Sequence, residues 1–179
     1  MRVVFAVLPA LLLASCASTT ATVAETPPPA DMPGFLLVAD AAAAHRESHL
    51  VDEATFLRMS REPGTIVLDA RSAERFAELH VAGAVNLSFP DIAIAALEAA
   101  IPDRDTRVLI YCNNNFANAE RPFPEKRMTA ALNLSTFVAL YDYGYRNVYE
   151  LQPKVDPRET VLPLEGSLAA QFRSVAATP

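Results

Sequence analysis

Apolar residues fall along residues 48–151 in short unbroken runs separated by stretches with helical spacing, the alternation that builds a parallel sheet covered by helices. The run Val108-Leu109-Ile110-Tyr111 has no polar interruption, as expected of a central strand buried on both faces. It ends at Cys112, where a row of asparagines begins. Further strands are predicted over 65–68, running into Asp69, over 81–87 and over 147–151. Asp52 is a candidate N-cap for a short helix that packs Phe56, Leu57 and Met59 and stops at Pro63-Gly64. Ser72 caps the next helix, with Phe76 and Leu79 inward, and Ser88-Phe89-Pro90-Asp91 has the spacing of a capped start for a helix over 92–100. Residues 102–105 read as a turn. A helix over 127–143 is apolar on more than one face, through Met128, Leu132, Leu134, Phe137, Val138 and Leu140, with Gly144 as its stop. The pattern predicts a three-layer α/β domain over 48–152. Ligands of such sheets bind beyond the carboxyl ends of the strands, which is where Cys112 stands.

The flanks differ in character. Residues 1–15 carry one charge, Arg2, and then a short apolar run, too short to span a bilayer and suited to a signal peptide. The run ends in Leu13-Ala14-Ser15-Cys16, which resembles a bacterial lipobox; the resemblance implies cleavage before Cys16 and lipidation of that residue. The alternative is an ordinary secretory signal cleaved near the same place. Ala17, rather than Asp, follows the cysteine, so the resemblance implies the periplasmic face of the outer membrane. Two or three acyl chains would be needed, because one binds membranes only marginally, at roughly 10⁴ M⁻¹. Residues 16–47 are expected to be the anchored tether and N-terminal extension, Pro-rich up to residue 33, with Ala39 to Ala44 favouring helix. Residues 153–179 form a C-terminal extension.

Composition narrows the chemistry. The 179 residues carry a formal charge of −6, without the clustered Lys and Arg of a nucleic-acid surface. Only 5 glycines are present, and neither a dinucleotide-binding nor a P-loop glycine motif occurs, so no cofactor is expected. The histidines are His45, His49 and His80, and no Cys/His cluster has metal spacing. If Cys16 is acylated, Cys112 is the single thiol of an exported protein, to be read as either reactive or simply buried.

Five segments in order carry a family resemblance: Ile66 to Ser72, Glu74-Arg75-Phe76, His80 to Leu87, Leu109 to Cys112, and Tyr143 to Tyr149. Together they resemble a rhodanese-like domain. The resemblance implies a three-layer α/β/α fold around a central parallel five-stranded sheet, with Cys112 as a catalytic cysteine that takes a sulfane sulfur and holds it as a persulfide. It implies a small sulfur-containing or anionic substrate, and a scaffold role for Asp69, Arg71 and His80. The loop departs from the family pattern: Cys112-Asn113-Asn114-Asn115-Phe116-Ala117-Asn118 lacks the usual glycine and arginine. Rhodanese-fold phosphatases need Cys followed by five residues and then Arg, and Asn118 stands at that last position. Asn113, Asn114, Asn115, Phe116, Arg121 and Lys126 are the candidate substrate-binding residues. A loop folded over the sulfur with Arg121 or Lys126 facing it would lower the thiol pKa, whereas a loop lying on the surface would leave desolvation to raise it. Two functions therefore stand side by side: a sulfurtransferase, and a catalytically silent module that binds a protein partner or small anion in the same pocket.

Overall fold

In the computed structural model, residues 29–152 and 154–172 are described. The proposed signal peptide and Cys16 lie outside the described residues. The described residues from Asp31 to Phe172 fold as one unit. Its strands are β1 (Leu50–Val51), β2 (Thr65–Asp69), β3 (His80–Val81), β4 (Val85–Asn86), β5 (Arg107–Tyr111), β6 (Val148–Leu151) and β7 (Leu164–Glu165). The helices are α1 (Met32–Arg46), α2 (Glu53–Ser60), α3 (Ala73–Glu78), α4 (Ile94–Ala100), α5 (Leu132–Asp142) and α6 (Ala169–Phe172).

Five strands form a parallel sheet in the order β1-β6-β5-β2-β4, with β5 at its centre. The unbroken apolar run of β5 serves both faces. Leu109 and Tyr111 enter one core with Phe56, Leu79 and Leu151, while Val108 and Ile110 enter the other with Leu97, Phe137 and Leu140. Helix layers on both faces complete the three-layer α/β/α arrangement.

Several local expectations hold at the caps. Asp52 accepts the N–H of Thr55 at 2.7 Å, and Ser72 accepts that of Arg75 at 3.4 Å. Gly144 follows α5 with φ +92°, a conformation that glycine adopts at little cost. Three expectations are corrected. The strand expected over 81–87 is broken by Gly83, at φ +77°, into β3 and β4. These halves take different partners: β4 joins β2, and β3 pairs antiparallel with β7. The helix expected over 92–100 begins only at Ile94, because Ser88 makes no cap bond and Phe89–Asp91 closes as a 3-10 turn. The helix expected over 127–143 begins at Leu132, after a separate 3-10 turn over Met128–Ala130, and Met128 is exposed.

Both flanks contribute packed structure. The helical tendency at Ala39 to Ala44 belongs to a full helix, α1, capped by Asp31, with Ala42 buried in the same core as Phe137 and Leu140. Beyond the last sheet strand, Val155, Leu162, Ala169 and Phe172 fill the opposite core. Among the described residues, no helix is long and apolar enough to cross a membrane.

Candidate active site

Cys112 stands one residue beyond β5 and is 1% exposed. The three asparagines that follow wind into a 3-10 turn, Asn113–Asn115, directly beneath it. Asn115 Oδ1 accepts the Cys112 N–H at 2.9 Å, and the Asn115 N–H reaches back to Sγ. Asn115 is itself held by donating to the Leu151 carbonyl at 2.6 Å and accepting from Asn133 Nδ2 at 3.0 Å.

A second set of donors comes from α5. Its N-cap, Ala131, has no side chain that can accept, so the first N–H groups of the helix lack a conventional cap. Those of Leu132 and Asn133 are directed at Sγ, together with the N–H of Asn114. The positive end of the α5 dipole therefore reaches the thiol despite the long segment between them. Burial nevertheless dominates. Desolvation raises the Cys112 pKa above its ordinary value; the Asn133 and Asn114 amides oppose it, the Glu150 charge adds to it, and the Leu132 amide opposes it again.

Cys112 lines a cavity of about 310 Å³, at the small end of ligand sites, which run from about 300 Å³ upward. Its charged lining consists of two pairs. Arg46, at the end of α1, holds Glu150 of β6 in a bidentate pair at 2.5 and 2.6 Å, and Lys154 meets Glu125 at 3.0 Å. Glu150 is 7% exposed and Arg46 27%. A larger groove of about 1020 Å³ lies between α1, the 89–91 turn and α5, but its lining is mainly apolar and includes no cysteine and no basic side chain. Among the described residues, no group of three His, Cys, Asp or Glu side chains is placed to hold a metal ion.

The residues expected around the thiol separate into two sets. Asn114 and Asn115 line the cavity with Cys112. Asn113 is buried with its Oδ1 unpartnered among the described residues, and it is not part of that lining. Phe116 is in the core, with its ring stacked 4.1 Å from Phe123 and edge-on to Tyr111. Arg121 points elsewhere and donates to Glu78 at 2.8 Å. Lys126 contributes its backbone: the Asn114 side-chain amide donates to its carbonyl at 2.7 Å and accepts its N–H at 3.0 Å, closing the loop. The loop is thus neither a basic cover for the sulfur nor a loose surface excursion. It is pinned at Asn114 and buries Phe116, Ala119 and Phe123.

Asp69, Arg71 and His80 lie outside the cavity lining. Arg71 is 3% exposed and pairs with Asp69 at 2.6 Å; it also donates to the carbonyls of Pro122 at 2.8 Å and Leu79 at 2.7 Å, and its guanidinium lies 4.1 Å from the Phe123 ring. Tyr111 donates to Asp69 at 2.6 Å and accepts the Val81 N–H. Burial and the neighbouring Asp69 charge push the Tyr111 phenol well above its usual range, so it remains a neutral donor. His80 hydrogen-bonds the Phe76 carbonyl at 2.7 Å and stacks on the Phe76 ring. These are interactions that order loops and strand ends.

A protein-family model described as a rhodanese-like domain matches residues 52–151. Among solved structures, the BH2092 protein of Bacillus halodurans is similar at a TM-score of 0.51 and 22% identity, covering 74% of this chain and 88% of that one. A rhodanese of E. coli, described with anions, is 21% identical at a TM-score of 0.39, covering 57% of this chain and 99% of that one. No curated protein matches.

Proposed function

Since this chain belongs to the rhodanese-like domain family, we propose that it is a sulfurtransferase that carries sulfur as a persulfide on Cys112. The observation that carries this reading is the convergence of N–H groups from the Asn113–Asn115 turn and the start of α5 on the sulfur of a cysteine that lines a small cavity. Such donors stabilise negative charge on Sγ and on the outer sulfur of a persulfide. After the thiol has lost its proton to water, the thiolate attacks the outer sulfur of a donor such as thiosulfate. The Sγ–S bond forms as the donor's S–S bond breaks, and sulfite leaves with the electron pair. A nucleophile such as cyanide then attacks the outer sulfur and departs as thiocyanate, returning the thiolate. A lipid anchor on Cys16 would hold this activity at the periplasmic face of the outer membrane.

One observation favours a second reading. A buried thiol with a raised pKa is mostly protonated at neutral pH, which suits a silent module that binds a partner or an anion in the same cavity. Thiosulfate-to-cyanide transfer by the mature protein, beside Cys112→Ser, separates the two. Transfer that depends on Cys112 and grows with pH supports the enzyme; transfer equal to that of the variant across the pH range contradicts it.

A further inference from the structure

The loop after Cys112 has no arginine, yet an arginine reaches the cavity from another part of the chain. Arg46 closes α1, which precedes the residues 52–151 matched by the family model. Arg46 lines the cavity together with Cys112, Asn114 and Asn133, and its guanidinium is held by Glu150, which lines it too. A negative charge on Cys112 favours the Arg46 cation. Glu150 occupies Nε and Nη2 of Arg46, and among the described residues no other hydrogen-bond partner engages the guanidinium. Five N–H donors on a planar fork therefore leave capacity for a ligand oxygen, and the two-point hold by Glu150 fixes the orientation of the fork. Lys154, the other cation of the cavity, is tied to Glu125 and is more exposed, so it acts as a weaker point charge at the rim.

We propose that Arg46 is the anion-recognising residue of the Cys112 cavity, binding the oxyanion of a sulfane-sulfur donor, with Glu150 as the positioning residue that aims it. The inference rests on the sulfurtransferase reading for the nature of the ligand, but not for the existence of the anion site. The site would take a small oxyanion such as thiosulfate, whose charged oxygens lie two bonds from the sulfur to be transferred, or sulfite, the anion that leaves. A donor without charge, such as a dialkyl trisulfide, would make no charge-assisted contact with Arg46.

The test measures both binding and transfer on the mature protein. Calorimetric titration of Cys112→Ser with sulfite should show binding, and adding Arg46→Gln should weaken it by about tenfold or more, the scale of one or two charge-assisted hydrogen bonds. Arg46→Gln alone leaves Glu150 buried without its cation. The paired change Arg46→Gln with Glu150→Gln therefore serves as a second, charge-free variant, and it should lose sulfite binding equally. In transfer assays compared at equal thiolate fraction, Arg46→Gln should lower kcat/KM for thiosulfate about tenfold more than kcat/KM for dimethyl trisulfide, a split that a merely structural role would not produce. Equal sulfite affinity with and without Arg46, in either background, overturns the proposal. Arg46-dependent sulfite binding without transfer from either donor upholds the anion site and removes the sulfurtransferase reading.

Discussion

The Cys112 thiol receives N–H groups from two directions and loses its water at the same time. Amides of the 3-10 turn and of α5 favour the thiolate, whereas burial and the Glu150 carboxylate favour the thiol, and the net shift is upward. An acid whose pKa is raised has less of its charged form at neutral pH than a free cysteine. Alkylation of Cys112 should therefore titrate with a midpoint above about 8.5, the value of a free thiol. Glu150→Gln should lower that midpoint, because it removes a nearby negative charge. Arg121→Ala and Lys126→Ala should leave it in place, since Arg121 is committed to Glu78 and the Lys126 contact is made by its backbone. A midpoint below the free value, or one that moves with Arg121, would contradict this placement. The position of Cys112 was legible because an apolar run ended there. Arg46 was not, because its partner lies 104 positions away. A trace of that partner was nevertheless present in Val148-Tyr149-Glu150-Leu151, where one carboxylate interrupts a strand that is buried at Val148 and Leu151.

At the scale of elements, the segment between β5 and α5 is held by few but buried contacts. Arg71 ties β2 to this segment through the Pro122 carbonyl and the Phe123 ring. Arg71→Met would leave Asp69 buried without its cation, at a cost of about 3–5 kcal/mol. Denaturant unfolding measures that loss, and limited proteolysis should show new cleavage near residues 119–125; unchanged stability would refute the pinning role. Asn115→Ala should cost on the order of 2–3 kcal/mol in the same unfolding measurement, since it strands the buried Cys112 N–H and Leu151 carbonyl. The main strands and helix caps could be read from periodicity because they depend on neighbours in sequence. The loop could not, because its order comes from Arg71, the Asn114–Lys126 clamp and the Val155 bridge, all of which are long-range. The start of α5 likewise has no local side-chain cap, and its first amides favour the Cys112 thiolate instead.

For the molecule as a whole, the site depends on both ends of the described fold. α1 delivers Arg46, and the segment after β6 brings Lys154 to the cavity and Val155 against Phe116. Removing residues 32–46 should therefore destabilise the domain, because Glu150 would be left buried and unpaired; a truncated chain with unaltered unfolding would show that α1 is dispensable. The proposed anchor has its own test. Mass spectrometry of the protein from its native membrane should find a diacylglyceryl or triacyl adduct on Cys16, and an unmodified N-terminus would replace the anchored protein with a soluble one. The central claim is that Cys112 carries sulfur, and the most direct measurement is the intact mass of the mature protein after incubation with thiosulfate at alkaline pH, followed by cyanide. A gain of one sulfur atom that maps to Cys112, is absent in Cys112→Ser and is removed by cyanide is the predicted result. An unchanged mass at a pH where Cys112 is alkylated would contradict it.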